Sequence, residues 1–278
     1  CVTGGVPRYL EEIRPSTPAD QEIARLCFRR TGFFFNEFDK IFNEIYQKKA
    51  ASYLAIVRCL VSQQLSGAEI AKKLKKDQNN DLTAALNALQ LGGFLSRDFS
   101  YMPDGKKSKI SFYRIKDNYL RFYLKYIEPQ KDKILQTGIQ ISSIDELPQW
   151  NAMVGYQFET LILNHIDEVL NKLNIAHSSV LSASPYFQRK KTRNKGGCQI
   201  DLLISCRHNT LYVCEIKFRR SIDKSVIADV KSKISVMENS KHYSIRPVLL
   251  YAGLLNPNDE ADLKEYFDKI VSIEDLLG

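Results

Sequence analysis

The stretch "IDLLISCRHNTLYVCEIKF", residues 200–218, decides how the C-terminal half of this chain is read. Two runs of β-type residues flank "CRHNT", a segment with turn chemistry, so 200–205 and 211–217 are expected to pair as a hairpin centred on His208. Since 201 and 215 sum to twice 208, a symmetric turn sets Asp201 against Glu215. Directly opposed side chains in a sheet lie about 5 Å apart, where two like charges repel. A divalent cation would reverse that sign, and oxygen ligands from two carboxylates are what Mg²⁺ (or Mn²⁺) accepts. Period-two alternation puts Lys217 on the face of Glu215, and Ile200, Leu202, Ile204, Tyr212, Cys214 and Ile216 on the other as a core layer.

Working outward, residues 151–174 have a helical apolar stripe that includes Phe158, Ile162, Val169 and Leu173. Glu159 at its edge is placed to bring a third carboxylate over the sheet. A helix near 222–239, a strand "RPVLLYA" and a last helix follow, an order that reads as an α/β sandwich with a mixed central sheet. Around the acids the charge is basic. Residues 186–233 hold 12 Lys and Arg against four Asp and Glu. Arg189, Lys190, Lys191, Arg193, Lys195, Arg219 and Arg220 are therefore candidates for contacting a phosphate backbone.

The N-terminal half is helical. "TGGVPRYL" and "FFFNEFDKIFNEIY" form a helical piece over 1–48. Residues 49–127 give three helices, the second capped by Ser66, then a hairpin with "PDGKK" at its turn, which is the outline of a winged helix-turn-helix. From Asp77 to Ser96 there is no Lys or Arg, which favours a packing role for this module, with DNA contact through Lys106 and Lys107 of the wing second. The aromatic helix "DNYLRFYLKYI" ends at Pro129, and 128–150 reads as a linker before the domain at 151–278. His165 lies on the apolar face of its helix and reads as a core residue.

The order of Glu159 on a helix, "QIDLLI" with Asp201, and "VCEIKF" with Glu215 and Lys217 resembles the PD-(D/E)XK nuclease superfamily. With "GGVP", "YLRFYLKYIEP" and "GYQFE", nearly the whole chain resembles the C-terminal part of archaeal-type AAA+ or STAND-like ATPases, in which a winged helix and a nuclease-like DUF234-type domain follow the nucleotide-binding core. That resemblance implies an ATPase-lid remnant over 1–48 and a metal-dependent nuclease fold. Asp201, Glu215 and Lys217 are its catalytic signature, and Glu159, Asp201 and Glu215 its metal ligands. The sequence departs from the pattern in having no Pro before Asp201. It also has no G-x-x-x-x-G-K-[ST] motif, so ATP is expected only in a domain upstream of Cys1.

Bulk properties agree with these expectations. The 278 residues carry a net charge of +8, compatible with an anionic partner such as DNA. The six cysteines are dispersed with no C-x-x-C pair, as free thiols are. No signal peptide or spanning segment is evident, so a cytoplasmic protein without a membrane partner is expected. The start at Cys1 is expected to follow an upstream ATPase domain of the same polypeptide, and a homo-oligomer is left open. The function expected is metal-dependent hydrolysis of DNA, the alternative a non-catalytic DNA-binding or regulatory module coupled to that ATPase.

Overall fold

A computed structural model describes residues 2–138, 144, 147–188, 196–238 and 240–277. The chain divides into two compact units, Cys1–Arg97 with Phe112–Gln157, and Asp98–Ser111 with Phe158–Gly278.

The first unit contains helices α1 (Pro7–Leu10), α2 (Ala19–Cys27), α3 (Phe33–Tyr46), α4 (Ala50–Cys59), α5 (Gly67–Lys73) and α6 (Asn80–Leu91). A hairpin of β1 (Leu95–Tyr101) and β2 (Lys107–Ile115) follows, with an isolated bridge between Leu65 and Tyr113. Ser66 caps α5 in a capping box with Glu69, and Asn79 caps α6. The three helices and hairpin expected from the sequence are therefore present.

Their separation from the N-terminal piece is not. Phe34, Phe35, Phe38 and Phe42 of α3 share one buried cluster with Val57, Leu60, Leu86 and Leu89. Tyr119 locks the two segments together, its hydroxyl donating to Phe34 O at 2.7 Å and accepting from Phe38 N at 3.1 Å. The stretch 1–48 is thus part of a larger core, because its aromatic stripe needs the aromatic helix as partner.

That helix also runs past Pro129. Helix α7 (Asn118–Phe122) continues through a π-helical segment, Tyr123–Ile127, into α8 (Glu128–Thr137), where Pro129 occupies the first turn. Proline has no N–H to donate inside a continuous helix, and the π-helical turn just before it is where the hydrogen-bond ladder shifts. With Ile134 buried, 128–137 is structured rather than linker. The unit boundary falls instead inside α9 (Trp150–Asn164), whose Met153 and Val154 join the first core and whose Phe158 and Ile162 join another.

The second unit is an α/β sandwich. After α9, the chain breaks at His165 before α10 (Ile166–Lys172). His165 is exposed at that break, its Nδ1 2.8 Å from Leu161 O, rather than in the core. Strands β3 (Val180–Gln188), β4 (Cys198–Cys206), β5 (Thr210–Ile222), β6 (Ser244–Leu255) and β7 (Lys269–Ser272) form one sheet in chain order. The first three run antiparallel and the last two pairings are parallel, with α11 (Ser225–Val236) crossing from β5 to β6 and α12 (Glu260–Tyr266) from β6 to β7. A last helix, α13 (Ile273–Leu277), follows.

One sheet face packs Leu202, Ile204, Cys214 and Ile216 with Phe158, Ile162, Val169 and Leu173. The other packs Leu203, Leu211, Val213 and Leu249 with Val226, Val230, Leu263 and Phe267. No helix among the described residues is long and apolar enough to cross a membrane. Cys27, Cys59, Cys198, Cys206 and Cys214 are free thiols.

One buried ion pair makes the N-terminal segment testable. Glu22 of α2 accepts from Arg25 Nη2 at 2.6 Å, Arg25 Nε at 2.9 Å and Arg14 N at 3.1 Å, while Arg25 Nη2 also donates to Glu12 O at 2.7 Å. The Arg25 hydrogen bonds hold the Glu22 carboxyl below its ordinary range against the opposing effect of burial, aided by the Arg14 N–H. A depressed carboxyl stabilises the fold above its unfolded pKa of about 4.3, and that contribution fades as pH falls through the lower folded value. Glu22→Gln is expected to lower stability at pH 7 by about 1–3 kcal/mol. The gap from wild type should close in urea unfolding below about pH 4.

Candidate acid and lysine site

The hairpin that carries the site has the register its sequence implies. Strands β4 and β5 pair from Cys206↔Thr210 to Leu202↔Cys214, a turn centred on His208. His208 and Asn209 take left-handed backbone angles, with φ of 59° and 52°, a conformation that Asn tolerates better than most residues. Asp201 and Glu215 are the next positions beyond the ladder. There the Asp201 carboxylate takes the backbone N–H of Ile216 at 2.9 Å.

Pro185 reshapes the strand at this point. Between Ser184↔Leu203 and Tyr186↔Ile200, β4 carries one residue more than β3, so Asp201 and Leu202 are set against Pro185 alone. Proline cannot donate to a ladder, and a β-bulge is where a sheet accommodates it. The extra residue moves Ile200 to the α11 side, where it packs with Leu203 and Tyr186. The sequence expectation that Ile200 joins Leu202 and Ile204 in one layer fails for this reason.

Period two sends Val213, Glu215 and Lys217 toward α11. Glu215 is completely buried. Its Oε1 lies 2.7 Å from Lys217 Nζ, close enough for charge pairing but outside hydrogen-bond alignment. Its Oε2 accepts from Lys233 Nζ at 2.6 Å, and that same ammonium lies 3.6 Å from Asp201 Oδ1. Lys233 reaches both carboxylates because it falls on the buried stripe of α11 with Val226, Val230 and Met237. Burial pushes the Asp201 carboxyl above its ordinary range, the Glu215 charge adds to this, and Lys233 draws it back. For Lys233 burial favours the neutral amine, but Asp201 and Glu215 outweigh it and raise its pKa.

Of the residues expected at the site, the structure brings Asp201, Glu215 and Lys217 together. Glu159 lies on α9, the helix that also carries Phe158. Phe158, its neighbour on α9, packs 6.1 Å from Phe218 and lies in the cluster with Ile216, on the opposite sheet face from Glu215. Among the described residues no three His, Cys, Asp or Glu side chains are placed to hold a metal together. Lys233, which the sequence reading counted only as one charge of a basic flank, is the added member. A lysine at an apolar stripe position of a helix was the signal.

The basic candidates divide. Arg189, Lys190, Lys191, Arg193 and Lys195 lie outside the described residues. Arg219 and Arg220 are exposed, just past the E-x-K, at an irregularity between Phe218 and Ser221. Gly253 on β6 permits that irregularity, with φ of 124° and room for no Cβ, which would stand 1.8 Å from Arg219 O. The hairpin tip 98–111 is part of the second unit. Ser205 Oγ donates to Pro103 O at 2.6 Å, Phe187 N donates to Ser100 Oγ at 3.1 Å, and a Cβ on Gly105 would meet Leu181 at 2.8 Å. Lys106 pairs with Asp104 at 2.9 Å, and the Lys107 ammonium sits 3.3 Å over the Phe99 ring. Both lysines are exposed.

No protein-family model matches the chain. Over 250 residues it is 26% identical to the uncharacterized protein MJECL04 of Methanocaldococcus jannaschii, covering 87% of this chain and 53% of that protein. The chain thus spans about half the length of this relative. It is also similar to the crystal structure of protein VC1899 from Vibrio cholerae, with a TM-score of 0.35 and 11% identity over 94% of this chain and 54% of that one.

The cluster makes a stability prediction of its own. Removing one member of a buried charge set costs about 3–5 kcal/mol because the rest are left uncompensated. Glu215→Ala is expected to lose that much, and Glu215→Ala with Lys217→Met to recover part of it in thermal unfolding. Additive losses in the double variant would contradict a direct coupling of Glu215 with Lys217.

Proposed function

We propose that the second unit hydrolyses DNA phosphodiester bonds with Mg²⁺ or Mn²⁺, as a PD-(D/E)XK-like domain. The carrying observation is the convergence of Asp201, Glu215 and Lys217 at one end of a sheet face on which Leu203, Leu211 and Val213 are also buried. The donor set fits the metal. Asp201 Oδ1 and Glu215 Oε2 already address one cation, the Lys233 ammonium, and hard carboxylate oxygens suit Mg²⁺ equally well. A divalent ion held by Asp201 and Glu215 would supply Lewis-acid polarisation of a phosphoryl oxygen and would acidify water.

The chain's own residues would do the rest. Asp201, fixed through Oδ2 by the Ile216 N–H, presents Oδ1, and buried Glu215 presents Oε2. Lys217 orients the attacking water or neutralises charge building on the phosphoryl group. Arg219 and Arg220 contact the DNA backbone, with the basic run 189–195, Lys106 and Lys107 extending the footprint. Cytoplasmic location and coupling to an AAA+ ATPase are proposed likewise, with ATP bound by a region outside these 278 residues.

A second reading has its own support. Lys233 neutralises the acid pair without any metal, as suits a non-catalytic DNA-binding or regulatory module. Plasmid and linear DNA incubated with Mg²⁺ or Mn²⁺ separate the two. The catalytic reading expects cleavage that falls at least about 100-fold in Asp201→Ala and in Lys217→Ala. Equal cutting by these variants, or none together with no metal binding, leaves the second reading.

A further inference from the structure

Building on the reading that Asp201 and Glu215 hold a divalent ion, we propose that Lys233 is a built-in counter-ion occupying the metal position, so that metal loading is an exchange of ammonium for metal. Three observations carry this. Among the described residues Lys233 reaches both carboxylates while Lys217 pairs with Glu215, so Lys233 sits where an ion bridging the two must sit. It projects from a helix, not from the strands that carry the acids, so it can leave without moving them. Its side chain keeps 24% exposure, while Val226 and Val230 anchor the same helix at 1% and 0%. A lysine stem of this kind swings its charged end to water with the backbone fixed.

The charges give the exchange a consequence. Two carboxylates and two ammonium groups are balanced, so the metal-free unit folds around a neutral cluster. Replacing the Lys233 ammonium by a divalent cation leaves the set with one net positive charge, the complement of a single phosphodiester. Metal-free protein is therefore stable and poorly loaded, and a nearby polyanion that draws the released ammonium outward favours loading. Lys233 acts as a positioning residue, through the carboxylates it holds.

Titration of the metal-free 278-residue chain with Mn²⁺, followed by calorimetry and by the loss of the free-ion electron paramagnetic resonance signal, tests this. Lys233→Met keeps the stem and removes the charge. It is expected to bind Mn²⁺ at least about tenfold tighter than wild type, a gain of about 1.4 kcal/mol, and to gain more than Lys217→Met. Its melting temperature should fall without metal and recover with Mn²⁺. Asp201→Asn added to Lys233→Met should abolish the gain. If Lys233→Met does not fold, Lys233→Gln carries the same expectation. Affinity unchanged or weakened in the Lys233 variants overturns the exchange. Absence of Mn²⁺ binding in every variant overturns both the exchange and the catalytic reading. Tighter binding in Lys233→Met without DNA cleavage by any form keeps the exchange and removes the nuclease assignment.

Discussion

The structure of the second unit turns on one buried anion. Glu215 has no access to solvent, so its charge must be met from within the protein. Lys217, two residues along the same strand, supplies one cation and Lys233 from α11 the other. Everything else in the neighbourhood follows from holding these groups in register. The turn at His208 fixes the β4–β5 ladder, the bulge opposite Pro185 sets Asp201 at its end, and the Val226 and Val230 stripe turns Lys233 inward. A buried charge set of this kind is weak evidence for stability, because apolar residues of similar size often do as well.

The first unit answers to a different constraint, the packing of aromatic rings. Tyr9, Phe34, Phe38, Tyr119 and Tyr123 stack in edge and tilted pairs with centroids 4.5 to 6.2 Å apart, and this network joins the N-terminal helices to the helix after the hairpin. Such pairs contribute beyond the area they bury. The aromatic richness of "YLRFYLKY" is thereby accounted for by core formation.

Much of this was legible in the sequence, where local chemistry decides. The hairpin register, the Ser66 cap, the helix over 33–46 and the shared face of Glu215 and Lys217 follow from turn residues and periodicity. What escaped depends on partners distant in sequence. Strand β3, "VLSASPYFQ", mixes serines and a proline and carries little β signal by itself, yet it pairs along the edge of β4. The flip of Ile200 depends on Pro185, fifteen residues earlier, and the attachment of the hairpin tip on Ser205 and Phe187, some ninety to a hundred residues away. Lys233 was visible as a stripe lysine, but its meaning required knowing that the stripe faces Glu215.

Nitrogen-15 NMR of the lysine side chains in the metal-free protein bears most directly on the central claim, that two ammonium groups are fixed on one buried carboxylate. The account predicts two slowly exchanging ammonium signals, one lost in Lys217→Met, the other in Lys233→Met, and both lost in Glu215→Gln. Signals for both lysines averaged with bulk water, and unaffected by Glu215→Gln, would contradict it.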